Sequence, residues 1–264
     1  MKVFIICILI IVLFVAENKF VLTFRRKSFG GNIRILHISD IHNSRKGKDN
    51  HRISDMAEKS KPDLIFITGD LISRTETDFT SAEILLKRLC DIAPVYMVFG
   101  NHEQSLPDKY LLELLDMLAK NGVKLLTNHA LHTNIKGRNL HIYGVMQKYS
   151  TYKKDGCYRN LDKFTINDMK SAVGNKTDGE VLLLAHNPLW AEVYAEWGAD
   201  YTFCGHVHGG IIRLFGVGML SPERKFFPKY SKGVYDVNGM KLCISGGIGK
   251  LRMFNPPEIV SYEI

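Results

Sequence analysis

Five short apolar segments of this sequence are each followed directly by an aspartate, histidine or asparagine, in three cases with one glycine in between. The segments cover residues 33–39, 64–68, 95–99, 181–185 and 201–204. Short apolar runs bounded by glycine and polar residues are typical of buried strands in an α/β sheet. Open α/β sheets bind ligands beyond the carboxyl ends of their strands. The polar residues after these segments are therefore expected to meet at one edge of a sheet.

The remaining apolar patterns predict further strands and helices. Strands are predicted at 123–127, 130–135, 140–145, 233–237, 241–245 and 259–263, and helices at 50–60, 80–92, 107–121, 166–173 and 189–197. The first half thus alternates strand and helix, and the second half contains neighbouring strands, including a hairpin across residues 136–139. Of the 264 residues, 45% are hydrophobic, which suits a sizeable core. We therefore expect a single α/β catalytic domain covering residues 30–264.

The polar residues after the five segments have the side chains of metal ligands. They are Asp40, His42, Asp70, Asn101, His102, His186, His206 and His208. Carboxylate, imidazole and amide groups together suit manganese, iron or zinc, whereas calcium and magnesium prefer oxygen ligands. Two ions that share a carboxylate polarise a phosphoryl oxygen and generate hydroxide near neutral pH. Asp70, the single aspartate at the end of its strand, is the natural bridging ligand.

The order of these residues resembles that of the calcineurin-like metallophosphoesterases. The blocks that carry the resemblance are Asp40-x-His42, Gly69-Asp70, Gly100-Asn101-His102-Glu103, His186 and Gly205-His206-x-His208. The segment from Gly209 to Glu258 is similar to one bacterial branch, whose members carry an N-terminal anchor or export signal. Members of that branch are described as phosphohydrolases or phosphodiesterases. One departure is Ile211, where relatives in this branch often have glutamine.

The resemblance implies a fold, a cofactor and roles for individual residues. The fold would be a four-layer αββα sandwich of two mixed β-sheets flanked by helices. Two divalent metal ions would be bound, the first by Asp40, His42 and His208 and the second by Asn101, His186 and His206, with Asp70 bridging them. His102 would be the catalytic residue, facing the substrate phosphate and stabilising charge or protonating the leaving oxygen.

The N-terminus carries fourteen apolar residues without a charge, 3–16. As a helix this run is about 21 Å long, or about 33 Å if it continues through Phe24, against a hydrocarbon core of about 30 Å. We expect residues 1–27 to form a hydrophobic helix with a basic flank that anchors the chain to the cell membrane. A cleaved signal peptide is an alternative, although Phe14 occupies a position where cleavage sites need a small residue. A buried core helix is the third interpretation.

Basic residues after this run bear on the orientation of such an anchor. They are Lys19, Arg25, Arg26 and Lys27. The positive-inside rule then favours a cytoplasmic catalytic domain.

The formal net charge of +8 is unevenly distributed. Residues 1–27 contain five basic groups and one acid, so the remainder carries 30 basic and 26 acidic residues, a net of +4. That excess is too small to indicate nucleic-acid binding, and no nucleic acid is expected as a partner. It suits an anionic substrate or an anionic membrane surface.

Basic and aromatic residues cluster after the last metal motif. The candidates for substrate binding among them are Arg213, Arg224, Lys229 and Tyr230. One interpretation is a solvated loop with a few core aromatics. A second is a rim that binds a second phosphate or an anionic lipid headgroup, and a third is nucleic-acid binding.

These observations lead to the hypothesis of a metal-dependent phosphoesterase. It would hydrolyse a phosphodiester or pyrophosphate bond, in a membrane-associated or lipid-linked substrate, through attack by metal-bound hydroxide. Manganese is the first choice of metal, with iron or zinc as alternatives. The alternative functions are a phosphomonoesterase or phosphoprotein phosphatase, a soluble cyclic-nucleotide or nucleic-acid phosphodiesterase, and a scaffold without catalysis.

Overall fold

The computed structural model describes residues 2–42, 44–222, 224–250 and 252–264, and within its first helix the side chains of residues 8, 11, 12 and 14–19. The helices are α1 (Lys2–Lys19), α2 (His51–Ser60), α3 (Thr80–Ile92), α4 (Asp108–Lys120), α5 (Ile166–Val173) and α6 (Ala191–Trp197). The first sheet contains, in order across it, β1 (Thr23–Ser28), β14 (Glu258–Glu263), β2 (Arg34–Ile38), β3 (Leu64–Thr68), β4 (Val95–Val98) and β5 (Lys124–Leu125). The second sheet contains β12 (Gly233–Val237), β13 (Met240–Ile244), β9 (Tyr201–Cys204), β8 (Glu180–Ala185), β7 (Arg138–Val145) and β6 (His129–Ile135). A separate hairpin consists of β10 (Ile212–Leu214) and β11 (Val217–Leu220).

Both sheets are mixed and have a parallel centre. In the first sheet β2, β3, β4 and β5 run parallel, and β14 is antiparallel to β2. In the second sheet β7, β8, β9 and β13 run parallel, and β6 and β12 pair antiparallel at the two edges. Every residue of β3 is buried, as expected of a parallel strand that is covered on both faces. This explains why such strands appear in the sequence as continuous apolar runs.

The two sheets pack face to face, and helices cover their outer faces. Between the sheets, Phe66 of β3 and Phe203 of β9 meet edge to face, with ring centroids 5.0 Å apart. On the outer face of the first sheet, α2, α3 and α4 bury residues such as Leu86. On the outer face of the second sheet, α5 and α6 bury Met169 and Tyr194. The predicted arrangement of two mixed sheets flanked by helices is therefore confirmed.

Most predicted elements form within a few residues of their expected bounds. The predicted hairpin is β6 and β7, which turn at Lys136 and Gly137 with φ of 51° and 82°. Two left-handed residues in a two-residue loop match the right-handed twist of the strands that they join. The strand predicted at 123–127 is reduced to the two residues of β5.

The segment after the first helix differs from the prediction. α1 ends at Lys19 instead of continuing to Phe24, and β1 then pairs in parallel with β14 at the edge of the first sheet. Arg25, Arg26 and Lys27, predicted as the flank of an anchor, are exposed residues of this strand. Phe24 is the one large apolar residue of β1, so neither of the usual strand patterns marks it in the sequence. The backbone of β14 stabilises it instead.

Among the described residues, no helix has both the length and the apolar character that a membrane crossing requires.

Candidate metal centre

The five loops predicted to carry metal ligands meet at one edge of the two sheets. Asp40 and His42 follow β2, Asp70 follows β3, Asn101 follows β4, His186 follows β8, and His206 and His208 follow β9. Three overlapping groups bring their ligand atoms within 4.8 Å of one another, namely Asp40–His42–His208, His42–Asp70–His102 and Asp40–Asp70–His186. Asn101 and His206 line the same small cavity as Asp70. The structure thus brings all seven predicted ligands together.

Asp70 lies at the centre of this arrangement. Its Oδ2 atom is 3.3 Å from His186 Nε2 and 3.8 Å from His42 Nε2. Ligand atoms that share an ion at about 2.1 Å are themselves about 3 to 4 Å apart, so these spacings suit coordination. His42 is a predicted ligand of the first metal ion and His186 of the second. Because Asp70 lies close to both, it has the placement of a bridging carboxylate. Asp40 Oδ1 is likewise 3.8 Å from His208 Nε2.

Buried polar atoms without a hydrogen-bond partner support the presence of cations here. His186 Nδ1 lies 2.6 Å from the carbonyl oxygen of Thr68, which only accepts, so Nδ1 carries a proton and Nε2 faces the carboxylate of Asp70. That Nε2 atom and Asn101 Oδ1 are buried and receive no hydrogen bond from the described residues. Although burial opposes it, Asp70 and Asp40 raise the pKa of His186 to about 10, so the 3.3 Å contact with Asp70 calls for a cation at Nε2, either a proton or a metal ion. The donor set therefore fits divalent metal ions.

Backbone amides orient the two carboxylates. The amide of His206 donates to both carboxylate oxygens of Asp40, at 3.1 Å each. The amide of His102 donates to Asp70 Oδ1 at 2.9 Å, which leaves Oδ2 to face the imidazoles. Each carboxylate is thus fixed by a neighbouring ligand loop, and displacement of one loop would disturb two ligands.

The ligand loops concentrate unusual backbone conformations. Five of the seven predicted ligands have left-handed φ values, namely Asp40 (49°), His42 (52°), Asp70 (52°), His206 (68°) and His208 (53°). Only a few per cent of non-glycine residues adopt positive φ, and such strain clusters at functional sites. The sharp turns aim side chains from successive residues into one space.

Glycine is required where two of these loops touch. Gly69 has φ of 85°, and a Cβ atom there would lie 2.6 Å from both Gly100 N and His186 Nδ1. A Cβ atom on Gly100 would overlap the carboxylate of Asp70. Both glycines permit close approach of the two loops beside Asp70.

Glu103 supports the site without being a predicted ligand. Its buried carboxylate accepts hydrogen bonds from the amides of Asp70 at 2.9 Å, Gly100 at 2.8 Å and Ile72 at 3.3 Å. Burial and the nearby charge of Asp70 raise the pKa of Glu103 to about 7. Glu103 is the last residue of the motif Gly100-Asn101-His102-Glu103, but nothing in the sequence shows that its side chain connects the loop after β3 to the loop after β4.

His102 lies beside the metal ligands with its tautomer fixed. The amide of Arg74 donates to His102 Nδ1 at 3.1 Å, so Nε2 carries the hydrogen, 4.0 Å from Asp70 Oδ2. Burial, only partly offset by Asp70, lowers the pKa of His102 to about 3. The imidazole is therefore neutral and offers one N–H group to the cavity.

The cavity at the metal centre has a volume of about 90 Å³. Besides Asp70, Asn101, His102, His206 and His208, its lining residues are Arg74, Tyr149, Tyr152, Lys153, Tyr158 and Pro222. Arg74 and Lys153 bring positive charge to it, and Arg74 Nη1 lies 3.5 Å from the hydroxyl of Tyr149. Sequence reasoning gave these residues no role, because they lie on loops without a recognisable motif.

The four predicted substrate-binding residues are not among the described residues that line this cavity. Arg213 donates to the carbonyl of Gly209 at 3.0 Å, and Arg224 is exposed. Lys229 and Tyr230 both bind the carboxylate of Glu192, at 2.5 Å and 2.9 Å. Their predicted role in substrate binding stays a prediction.

Two residues near the carboxyl terminus hold the last ligand in place. Arg252 Nη1 and Asn255 Nδ2 donate to the carbonyl oxygen of His208, at 3.3 Å and 2.6 Å. Both side chains are fully buried. They stabilise the left-handed backbone of His208, a role that the sequence alone did not indicate.

A two-sheet sandwich whose strand ends gather nitrogen and oxygen ligands around one shared carboxylate defines a metal-dependent hydrolase with a dinuclear centre. The chain belongs to the calcineurin-like phosphoesterase family, which matches residues 33–210. The predicted resemblance is therefore confirmed, and the chain is a metal-dependent phosphoester hydrolase.

Individual relatives agree with this assignment. The chain is 26% identical over 246 residues to the metallophosphoesterase YkoQ of Bacillus subtilis, which covers 88% of this chain and 83% of YkoQ. It is 26% identical over 240 residues to the phosphodiesterase YaeI of Escherichia coli, covering 88% of this chain and 82% of YaeI. The solved structure of TT1561 from Thermus thermophilus matches with a TM-score of 0.52 and 10% identity, over 82% of this chain and 90% of that chain. That last likeness shows the fold alone.

Proposed function

We propose that this chain is a dimanganese phosphodiesterase that acts on membrane-associated substrates. The observation that carries the proposal is the position of Asp70, whose Oδ2 atom faces His42 and His186 from two other loops at 3.8 Å and 3.3 Å. The mixed nitrogen and oxygen ligands suit manganese, with iron and zinc as alternatives. Diester cleavage is supported by the similarity to YaeI, which is named a phosphodiesterase.

The residues of the chain divide the work of hydrolysis among them. When bound, the two ions supply Lewis acidity and lower the pKa of water to give the nucleophile. Asp40 and Asp70 hold the centre, and their orientation is set by the amides of His206 and His102. His102 directs Nε2–H into the cavity, where a neutral donor stabilises charge that develops on a phosphate oxygen. This supports charge stabilisation as the role of His102, rather than proton transfer from an imidazolium.

Positive groups at the cavity contribute to substrate binding. Arg74 and Lys153 both line it and are placed to neutralise a phosphate group. The rings of Tyr149 and Tyr158 offer apolar surface for the substituent of the ester. The proposed substrate is therefore an anionic phosphodiester or a pyrophosphate-linked compound with at least one bulky substituent.

Association with a membrane is proposed from the first helix. Ile8, Ile11, Val12 and Val15 of α1 are between 46% and 61% exposed. Exposed apolar side chains of α1, with the exposed basic residues of β1 following, suit contact with an anionic membrane surface. We propose a peripheral position at the cell membrane, with the catalytic domain in the cytoplasm and the N-terminal segment retained. Sedimentation with vesicles that contain anionic lipid tests membrane binding, and absence of binding would overturn the proposal. Sequencing of the mature N-terminus tests whether the segment is retained, and a mature protein from which α1 has been cleaved would also overturn it.

The catalytic proposal is tested on purified protein that is stripped of metal and reloaded with manganese, iron or zinc. We expect turnover of a generic diester to exceed that of the matching monoester and to depend on added metal. Asp70→Ala and His206→Ala should each lower kcat by roughly a hundredfold or more, as loss of a ligand usually does. His129→Ala, a change at an exposed histidine of β6, is the matched control. Retained activity in both ligand variants would defeat the assignment, and a preference for the monoester would favour the phosphomonoesterase alternative.

A further inference from the structure

A second cavity, of about 660 Å³, lies between α1 and the loops that carry the metal ligands. It is lined by Phe14, Val15, Asn18 and Lys19 from α1 and by Arg45, Glu76 and Lys250 from the loops. We call it the α1 cavity. Its volume lies within the range of about 300 to 1,000 Å³ that is usual for small-molecule sites, whereas the cavity at the metal centre is far smaller.

A small recess of about 10 Å³ lies between the α1 cavity and the metal ligand His42. Arg45 and Glu76 line both the cavity and the recess, and the metal ligand His42 lines the recess. Gly249, the neighbour of Lys250, is so close to His42 that a Cβ atom there would lie 2.7 Å from the imidazole Cδ2 atom. The α1 cavity therefore lies on the side of the centre that His42 forms.

The wall that α1 provides is held in place by specific hydrogen bonds. Asn18 Nδ2 donates to the carbonyl of Arg252 at 2.8 Å, and the amide of Arg252 donates to Asn18 Oδ1 at 3.0 Å. Lys46 Nζ donates to the carbonyl of Asn18 at 2.7 Å, a favourable position for a cation at a helix carboxyl terminus. Lys46 and Arg252, which hold α1, lie a few residues after His42 and Gly249 in the sequence. The end of α1 and the metal centre therefore form one structural unit.

The lining of the α1 cavity combines apolar and cationic groups. Phe14 and Val15 contribute hydrocarbon surface, and Lys19, Arg45 and Lys250 contribute three positive charges. The single carboxylate, that of Glu76, accepts a hydrogen bond from the amide of Ser73 at 3.0 Å. A site with an apolar wall and a net positive rim suits an amphiphile whose hydrocarbon contacts the wall and whose anionic group lies beyond the cations, on the side of His42.

We propose that the α1 cavity binds the acyl chain of an amphiphilic phosphodiester whose phosphate lies at the metal centre. This inference rests on the proposed phosphodiesterase function and specifies its substrate class. The α1 cavity shares no lining residue with the cavity at the metal centre, which Tyr149 and Tyr158 also line. These two cavities correspond to the two different substituents of a diester. The α1 cavity suits an apolar substituent, and the cavity at the metal centre suits a polar or aromatic one.

A series of alkyl 4-nitrophenyl phosphates tests the inference, because its members share one leaving group and differ only in chain length. Methyl, butyl and octyl esters are assayed with the manganese-loaded full chain, below the concentrations at which they form micelles. Since each buried methylene group is favourable, kcat/KM is expected to rise by roughly tenfold or more from methyl to octyl. A flat series would overturn the inference, even though hydrolysis of the methyl ester would still support the proposed phosphodiesterase. Failure to hydrolyse any ester would instead overturn the proposed function.

A matched pair of variants locates the effect. Val15→Asp places a charge in the α1 cavity and should lower the octyl-to-methyl ratio of kcat/KM by about tenfold. Val12→Asp is the control, because Val12 lies on the same helix with similar exposure (55% against 48%) and does not line the cavity. It should leave the ratio and the methyl-ester rate unchanged. An equal fall of the ratio in both variants would assign the chain-length effect to the apolar surface of α1 and would overturn binding in the cavity.

Discussion

The backbone amide of Asp70 donates a hydrogen bond to the carboxylate of Glu103, and the two atoms are 2.9 Å apart. The same carboxylate accepts from the amide of Gly100 at 2.8 Å. Glu103 is fully buried and thus fastens the loop after β3 to the loop after β4. The position of the predicted bridging ligand therefore depends on a carboxylate outside the predicted ligand set.

Replacement of Glu103 by glutamine should loosen this connection. A glutamine side chain has one acceptor oxygen, and its amide group would face a backbone donor, so at least one buried N–H group would lose its acceptor. We expect the free energy of unfolding to fall by about 1 to 3 kcal/mol and activity to fall by roughly tenfold. Thermal unfolding, metal analysis and a diester assay measure these effects. Glu113→Gln, on the exposed face of α4, is the control, and equal behaviour of the two variants would contradict this role of Glu103.

Removal of metal should destabilise the fold. Asp40 and Asp70 are buried carboxylates that face one another across the centre, and bound cations would neutralise them. At a free metal concentration of about one hundred times Kd, binding to the native state alone adds about 2.7 kcal/mol. We expect the Tm to fall on chelation and to recover when manganese is returned. The shift should be much smaller in Asp70→Asn, whereas His129→Ala should keep the full shift. An unchanged Tm in the unmodified chain would argue against a preformed centre.

The sequence predicted the gathering of these residues at one edge because they follow strands that are buried on both faces. β3 is a continuous apolar run that ends at Thr68, and Gly69 and Asp70 come next, so a local pattern marks both the strand and the ligand. The same holds for His186, which follows β8. Because the carboxyl ends of parallel strands lie at the same edge of a sheet, the local pattern alone predicts that these positions meet there.

The sequence could not indicate features that depend on contacts between distant segments. β1 is an edge strand with exposed arginines, and its partner β14 is formed by the last residues of the chain. The amide of Arg74 fixes the tautomer of His102 through a loop contact that no motif marks. Conversely, Lys229 lies in a basic cluster that suggested an anion site, yet it binds Glu192 of α6. Charge along the sequence does not show which cations already have a partner.

A methyl group at Gly69 should damage the centre more than backbone strain alone would. Gly69→Ala forces alanine into φ of 85° and places its Cβ atom 2.6 Å from His186 Nδ1. Gly137→Ala has nearly the same φ, 82°, but nothing within 4 Å of the added atom. The control should therefore cost only the strain of a left-handed residue, about 1 to 2 kcal/mol, with normal metal content. Gly69→Ala should show a larger loss of stability and less than the normal amount of bound metal. Equal Tm values and metal contents would show that the close contact is unimportant.

Lys46 should make stability depend on pH in the alkaline range. Burial, with further contributions from Arg252, Arg52 and Lys250, lowers the pKa of Lys46 from 10.5 to about 8. Between these values the unfolded chain binds more protons than the native chain, so stability should rise as pH increases from 8 towards 10.5 and be lost again as pH falls.

The variant Lys46→Met lacks this ionisable group and should not show its part of the pH dependence. The difference in unfolding free energy between the unmodified chain and Lys46→Met should therefore shift by about 2 kcal/mol in favour of the unmodified chain between pH 7.5 and 9.5. Denaturant unfolding at several pH values measures it, with Lys59→Met on the exposed face of α2 as the control. Because Lys46 also donates to the carbonyl of Asn18 at 2.7 Å, a constant loss at every pH is expected as well. Parallel pH curves for the unmodified chain and Lys46→Met would mean that Lys46 keeps an ordinary pKa beside the end of α1.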